Sequence, residues 1–319
     1  MKTYSGGSSS SLFYGYRNLD KGASLNALFD ENTLRGDSPQ FSDDILSATA
    51  DCSDPIWNAL RGEAAQECSA EPELARLYAT IFEAGSFEQA LAYKLALKLG
   101  HPSLPSDELK GLLLEPVLSD ASIGEAARAD ISAIVERDPA ASGRLLEPFL
   151  FFKGYAAIQT HRIAHWFWNA GRRNLALYLQ SRSSEVFQTD IHPGARVGKA
   201  IFLDHATGFV AGETAVIEDN VSILHGVTLG GTGTAKTSRH PKVRTGVLIG
   251  AGAQLIGDIE IGAYSKIAAG SFVTQSIPAR CTAVGVPARI IEGTGSASPA
   301  QSMEQGLELG AYESFTYVI

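Results

Sequence analysis

A histidine stands in the run Asp204-His205-Ala206-Thr207-Gly208, and Asp190 lies a short way upstream of it. An imidazole held by a carboxylate is a general base that works near neutral pH, because the carboxylate selects the tautomer and stabilises the imidazolium as the proton arrives. A His–Asp pair that only ties two strands together accounts for the same spacing equally well. A second group, Arg239, His240 and Lys242, follows a run with Gly230, Gly231 and Gly233. A protruding basic segment can reach a carboxylate or phosphate, including one on a neighbouring subunit. A basic loop facing only water has the same composition. His161 and His165 are four apart on a predicted helix, the spacing of a metal pair. Arg162, however, stands where a metalloprotease helix carries Glu, so packing or capping accounts for them better.

These groups need a frame, and the chain after Asp190 has an unusual period. Stepping by six from Ile191 gives Val197, Leu203, Phe209, Ala215, Val221 and Val227. A second register gives Ile249, Leu255, Ile261, Ile267 and Val273. All are apolar, in a chain whose apolar content is 45%, so chance does not produce the pattern. Small residues often stand three positions later, among them Gly194, Ala200, Ala206, Gly212, Gly230, Gly252 and Gly270. A period of six is the mark of a hexapeptide solenoid, in which each short strand buries an aliphatic side chain and a small residue lets the chain turn. The step from Val227 to Ile249 is not a multiple of six, so a segment loops out between them. Gly230 to Lys242 is the candidate. With three hexapeptides per turn, Asp190 and His205 fall on neighbouring rungs.

Upstream the pattern is helical, from Pro55 to about residue 185. Leu74, Leu77, Tyr78, Ile81 and Phe82 make one buried stripe. Ser86 with Gln89, and Ser122 with Glu125, read as capping boxes, and Gly100 followed by Pro102 reads as a stop. Residues 1–53 form a largely irregular extension rich in Ser, Gly, Asp and Asn. Residues 54–189 form the helical domain, 190–291 the solenoid, and 292–319 a flexible acidic tail ending in the apolar Phe315-Thr-Tyr-Val-Ile319. A flexible tail with a sticky, carboxylate-bearing end suits docking to a partner.

The chain's 319 residues can bury one or two ordinary cores. With 26 Lys and Arg against 35 Asp and Glu, the net charge is -9, which argues against a nucleic-acid binder. No apolar stretch approaches the ~20 residues of a membrane span. Cys52, Cys68 and Cys281 are odd in number and scattered, which favours a reducing compartment over a disulfide framework or a cysteine zinc site. The expected location is the cytoplasm, or an organelle if the N-terminal extension is a targeting segment.

Longer runs carry a resemblance. ERDPA (136–140), HRIAHWFW (161–168), DIHPGARVGKAIFLDHATG (190–208), GETAVIEDNVSILHGVTLGGTG (212–233), RHPK (239–242) and GVPARI (285–290) resemble the serine O-acetyltransferases, hexapeptide-repeat acyltransferases at the first step of cysteine biosynthesis from serine. The resemblance implies an α+β fold, an N-terminal all-α helical domain followed by a left-handed parallel β-helix. It also implies a homotrimer with active sites between subunits, or a dimer of trimers paired through the helical domains, which also contribute to the serine site.

Residue by residue, the resemblance makes His205 the base and Asp190 its partner, with Asp138, Asp204, Arg239 and His240 around serine. Acetyl-CoA is the implied co-substrate, lying between adjacent β-helices against Ala251 and Ala269, with Gly231, Thr232 and Arg289 as further contacts and no metal. His205 takes the serine hydroxyl proton as the oxygen attacks the thioester, and backbone N–H groups near the glycine loop steady the oxyanion. L-Cysteine is the implied feedback inhibitor. Tyr317, Val318 and Ile319 match the family's C-terminal peptide, which docks into O-acetylserine sulfhydrylase (cysteine synthase).

The loop departs from the family's GGTGK…SGD pattern: Ser238 replaces an Asp, and the Lys is displaced to Lys236. That places loop order and cofactor affinity in question, not the reaction. Two other readings remain. One is a metal lyase resembling γ-class carbonic anhydrase, drawing on His192, His205, His225 and His240. The other is a binding protein that works through its tail.

Overall fold

The computed structural model describes residues 54–233, 237–292 and 297–306. Helices come first: α1 (Pro55–Ala70), α2 (Ala75–Phe82), α3 (Phe87–Leu99), α4 (Ser106–Ser119), α5 (Ala121–Arg137), α6 (Leu146–Leu150), α7 (Lys153–Asn169) and α8 (Arg173–Phe187). Their ends follow local chemistry. Asp54 caps α1 by accepting from the Trp57 N–H at 3.0 Å, with Pro55 in the first turn where its missing N–H costs nothing. Ser86 accepts from the Gln89 N–H at 3.3 Å, while the Gln89 side chain reaches back one residue further than in a capping box, to the Gly85 N–H. The Ser122–Glu125 box does not form. Asp120 caps α5 instead, accepting from both the Ser122 N–H and its hydroxyl, because a carboxylate just upstream is the stronger acceptor.

α5 and α7 key the helices to the solenoid. Asp130 and Arg162, both buried, pair at 2.6 Å. Arg162 also donates to the carbonyls of Val197 (3.1 Å) and Gly198 (2.6 Å), and Asp130 accepts from the Ile201 N–H at 2.9 Å. Removing one partner would leave a buried charge unmatched, a loss of about 3–5 kcal/mol. At the start of α7 a Cβ on Gly154 would lie 1.9 Å from the Leu203 carbonyl oxygen, so only glycine lets the helix dock there. His165 donates to the Pro193 carbonyl at 2.7 Å, and His161 bonds the Ala195 carbonyl. Their i, i+4 spacing therefore ties a helix to a turn.

From Thr189 the chain winds as a parallel β-helix with three faces. On the first, Asp190, Val210, Thr228 and Gln254 align; on the second, Arg196, Val216, Lys242 and Glu260; on the third, Phe202, Ser222, Leu248 and Lys266. The six-residue step holds from Ile191 to Leu203 and then shifts. Ile191 pairs with Ala211, not Phe209, and Ala211 with Leu229, so two extra residues enter at 204–208. Phe209, Ala215, Val221 and Val227 are buried all the same. An even shift keeps a strand residue on the same face, so the apolar count could not register it. The larger insertion lies where expected, between strands Thr228–Gly230 and Lys242–Val243.

The solenoid closes in an antiparallel hairpin, Cys281–Val284 with Arg289–Glu292. Beyond it, part of the segment expected to be a flexible tail packs back on the molecule. Pro299–Ser302 form a short helix, α9, with Pro299 and Ala300 buried. The Ala300 carbonyl accepts from Ser222 Oγ at 2.7 Å, and Met303 packs against the helical core. Among the described residues no helix is long and apolar enough to cross a membrane.

Candidate active site

The two extra residues sit at the corner between the third and first faces. Four glycines stack there, Gly208, Gly226, Gly252 and Gly270, with φ of 74°, 69°, 70° and 67°. Their left-handed backbone is what glycine supplies without steric cost. On the upper coils the residue just before each glycine is His225, Ala251 and Ala269. On the lowest, the insertion separates His205 from Gly208. It closes through tight bonds from the Ala206 N–H to the Asp204 carbonyl (2.6 Å) and from the Thr207 N–H to the His205 carbonyl (2.7 Å). His205 and Ala206 are forced to φ of 54° and 60°, at roughly 1–2 kcal/mol per non-glycine residue. The result is a projecting imidazole: the His205 side chain is 74% exposed, with Nε2 3.6 Å from Asp204 Oδ1. Lys153, at the start of α7, touches the Thr207 hydroxyl.

Asp138 ends α5 and accepts from the Ala140 N–H at 2.9 Å. Burial holds the Asp204 carboxyl above its ordinary range, and the Asp138 charge adds to this, opposed by His205 and His225. Asp138, Asp204, His205 and His225 therefore form one electrostatic cluster. The His225 ring packs edge-on against His205, centroids 5.9 Å apart.

The other cluster lies at the corner between the first and second faces. His240 is buried, and its Nδ1 accepts from the Thr214 N–H (3.2 Å) and contacts the Thr214 hydroxyl (2.8 Å). Burial, followed by the charges of Arg239 and Lys242, lowers its pKa, so the ring is neutral and Nε2 carries the proton. Arg239 donates to Glu213 Oε2 at 2.7 Å, which holds the Glu213 carboxyl below its usual range. His192, between them, feels Glu213, Asp190 and Arg239. Asp190 stands on the first face and accepts from Gln180 Nε2 at 2.6 Å.

Within one chain the structure thus groups Asp138 and Asp204 with His205, and Asp190 with Arg239 and His240. No hydrogen bond joins Asp190 to His205, although they lie on adjoining coils. Ala251 and Ala269 stand above His205 and His225 on the glycine corner, linked by Gly252 N–H to His225 O and Gly270 N–H to Ala251 O, each 2.8 Å. Gly231 and Thr232 are exposed at the base of the loop, and Arg289 lies exposed on the terminal hairpin. Tyr317, Val318 and Ile319 lie outside the described residues. Ser238, substituted relative to the family pattern, bonds Asp258 at 2.8 Å and accepts from Lys242 Nζ at 2.6 Å, so the returning leg of the loop is anchored without an Asp. The sequence reading missed Glu213 as Arg239's partner and His225 as His205's neighbour. Their signal lay in the coil register, which the insertion hid. Among the described residues no cluster of three or more His, Cys, Asp or Glu is arranged to hold a metal ion.

Comparison with known proteins bears on the fold and the family. Residues 56–160 match the family described as serine acetyltransferase, N-terminal, and residues 240–275 match the bacterial transferase hexapeptide repeat. The serine acetyltransferase of Salmonella typhimurium is 47% identical over 263 residues, covering 82% of this chain and 96% of that protein. A Brucella abortus serine acetyltransferase structure in complex with coenzyme A is 54% identical, covers 76% of this chain and 98% of its own, and superposes with a TM-score of 0.74. A serine acetyltransferase structure in complex with cysteine is 48% identical, covers 79% of this chain and 98% of its own, and has a TM-score of 0.77. With its helical domain, its β-helix and about half the residues of the aligned region in common with these enzymes, the chain belongs to the serine acetyltransferase family.

Proposed function

We propose that the chain transfers the acetyl group of acetyl-CoA to the hydroxyl of L-serine, giving O-acetyl-L-serine and CoA. The observation that carries this is the division of chemistry between the two corners. One presents an exposed imidazole beside two carboxylates, and the other presents a guanidinium and a protonated Nε2. Serine needs both. Its ammonium group suits Asp138 and Asp204, its carboxylate suits Arg239 and the His240 Nε2–H, and its hydroxyl must meet a base. Since one chain leaves His205 and Asp190 unpaired, the complete site lies between copies. His205, Asp204 and Asp138 of one then face Asp190, Arg239 and His240 of the next, as in a homotrimer or a dimer of trimers.

His205 Nε2 takes the hydroxyl proton while Asp190 of the adjacent copy orients the ring. The serine oxygen attacks the thioester carbon, the oxyanion collapses, and His205 returns the proton to the departing thiolate. The small column Ala251–Ala269 leaves room for coenzyme A above the base, with Gly231, Thr232 and Arg289 as outer contacts. L-Cysteine, with a thiol in place of the hydroxyl, fits the same ammonium and carboxylate anchors and inhibits there. The chain acts in the cytoplasm or in an organelle. Its terminal Tyr317-Val-Ile319 docks into O-acetylserine sulfhydrylase, so deleting Ile319 is expected to abolish that binding and spare acetyl transfer.

The test is release of free CoA from acetyl-CoA with L-serine or L-homoserine, using the protein and its His205→Ala variant. Serine-dependent release should fall by about 10²–10⁴-fold in the variant. Release without serine, or an unimpaired variant, would overturn the assignment.

A further inference from the structure

A carboxylate that orients the base of an adjacent copy has to be held in one direction, and Asp190 stands at an exposed strand position where its side chain could turn freely. The strand Thr189–Ile191 fixes only the general direction: Thr189 and Ile191 are buried, so Asp190 points outward. What holds the carboxylate itself is Gln180. Its Nε2 donates to Asp190 Oδ1 at 2.6 Å, the one hydrogen bond of the Asp190 side chain among the described residues. A carboxylate only accepts, so the amide must turn its NH2 group towards it. One oxygen of Asp190 is thereby occupied, and Oδ2 is left for an imidazole N–H.

The chain around Gln180 makes it a firm support. On α8 the buried residues Ala176, Leu179, Ser183 and Phe187 form one stripe, and Gln180 stands half-buried at its edge. The helix ends at Gln188, whose φ of 59° turns the chain directly into the strand. The Ser183 and Thr189 hydroxyls, both buried, meet at 3.0 Å and lock the last turn of the helix to the start of the strand. The Gln188 carbonyl accepts the Gly208 N–H at 2.8 Å, which ties the same turn to the corner that carries His205. Gln180 and Asp190, ten residues apart, thus sit on the two arms of a braced bracket. His192 also feels the Asp190 charge, but burial lowers its pKa, so it offers no cation to draw the carboxylate away.

Resting on the proposed acetyl transfer, we infer that Gln180 is a positioning residue for the reaction: its amide holds one oxygen of Asp190 so that the other meets the His205 ring of the adjacent copy. It acts through Asp190 alone. A carboxylate supports the imidazolium only while its oxygen lies in line with the ring N–H. Without the amide, Asp190 spends part of its time turned towards water, and the base loses both its orientation and its counter-charge.

The experiment measures kcat and both KM values for the full-length protein, for Gln180→Met, for Asp190→Ala and for the double variant, with melting as a check on folding. Methionine keeps the length and helix propensity of glutamine but donates nothing. Gln180→Met should lose about 10–10²-fold in kcat, the worth of one charge-assisted hydrogen bond, with KM for serine and acetyl-CoA within a few-fold. In the Asp190→Ala background the same substitution should change kcat by less than about twofold, because the group it acts through is gone. An undiminished kcat in Gln180→Met overturns the inference. So does a loss of equal size in both backgrounds, or one confined to KM, either of which would make Gln180 a structural contact. If the unaltered protein releases no CoA with serine, it is the proposed acetyl transfer that fails; if it does and Asp190→Ala matches it, the pairing of Asp190 with His205 fails and the role of Gln180 with it.

Discussion

The two corners of the β-helix that carry the candidate chemistry are built by different means. At residues 204–208 two extra residues are squeezed into a coil, two non-glycine residues take left-handed backbone, and the imidazole is driven outward. In the second insertion, between Gly230 and Lys242, the imidazole of His240 is drawn inward, buried and held by Thr214. A base must reach a proton that moves, so it is exposed on a rigid corner. A carboxylate anchor must keep one orientation and one protonation state, so it is buried and hydrogen-bonded. The short insertion gives reach and the long one gives enclosure. Because the two lie at opposite ends of the first face, neither makes a site alone.

The strongest way to break this comparison is to place its halves on different chains. His205→Ala and Arg239→Ala should each be almost inactive. When the two are co-expressed so that they assemble together, random mixing pairs one intact half of each kind in about a quarter of sites. CoA release should then recover to about a quarter of the original rate. No recovery would place the whole site within one chain.

A smaller change sharpens the enclosed half. A Cβ on Gly212 would lie 1.9 Å from His240 Nε2, so Gly212→Ala should push the ring aside. KM for serine should rise by about tenfold or more, the worth of one charge-assisted hydrogen bond, with KM for acetyl-CoA little changed. An equal rise in both constants would mean that the loop, and not the ring alone, had moved.

The smallest effect is expected away from both corners. Lys94 is buried in the helical core beside Phe149 and Tyr155, its Nζ makes no hydrogen bond among the described residues, and burial lowers its pKa to about 7. As pH falls from about 10 towards 7, the unfolded chain takes up this proton while the folded chain does not, so stability declines across that window and levels off below it. Lys94→Met should therefore stabilise the protein at pH 7 by about 2 kcal/mol, with the gain shrinking towards pH 10. Melting across pH checks this, and kcat should not move.

Much of this was legible in the residues. The six-residue period after Asp190 forecast the solenoid because inward positions must be aliphatic on every coil, and the break in that period between Val227 and Ile249 located the loop. Asp204, His205, Arg239 and His240 stand in motifs long enough to identify. The two-residue insertion was not legible, since an even shift leaves apolar residues facing inward. With it went the alignment of His205 under His225, whose separation exceeds the three hexapeptides of a regular coil. The cap at Asp120 was also hidden, because Ser122 and Glu125 offered an equally good local pattern.

What the sequence determined by itself is whatever repeats or is local: the change from helical to six-residue periodicity, the position of the loop, and the family to which the motifs belong. What only the tertiary structure decided is which side chains meet. Side-chain contacts between coils depend on the sum of every insertion before them. A two-residue insertion at one corner moved His205 from inside a regular turn to an exposed ledge beneath His225, and left it unpaired with Asp190 of its own chain.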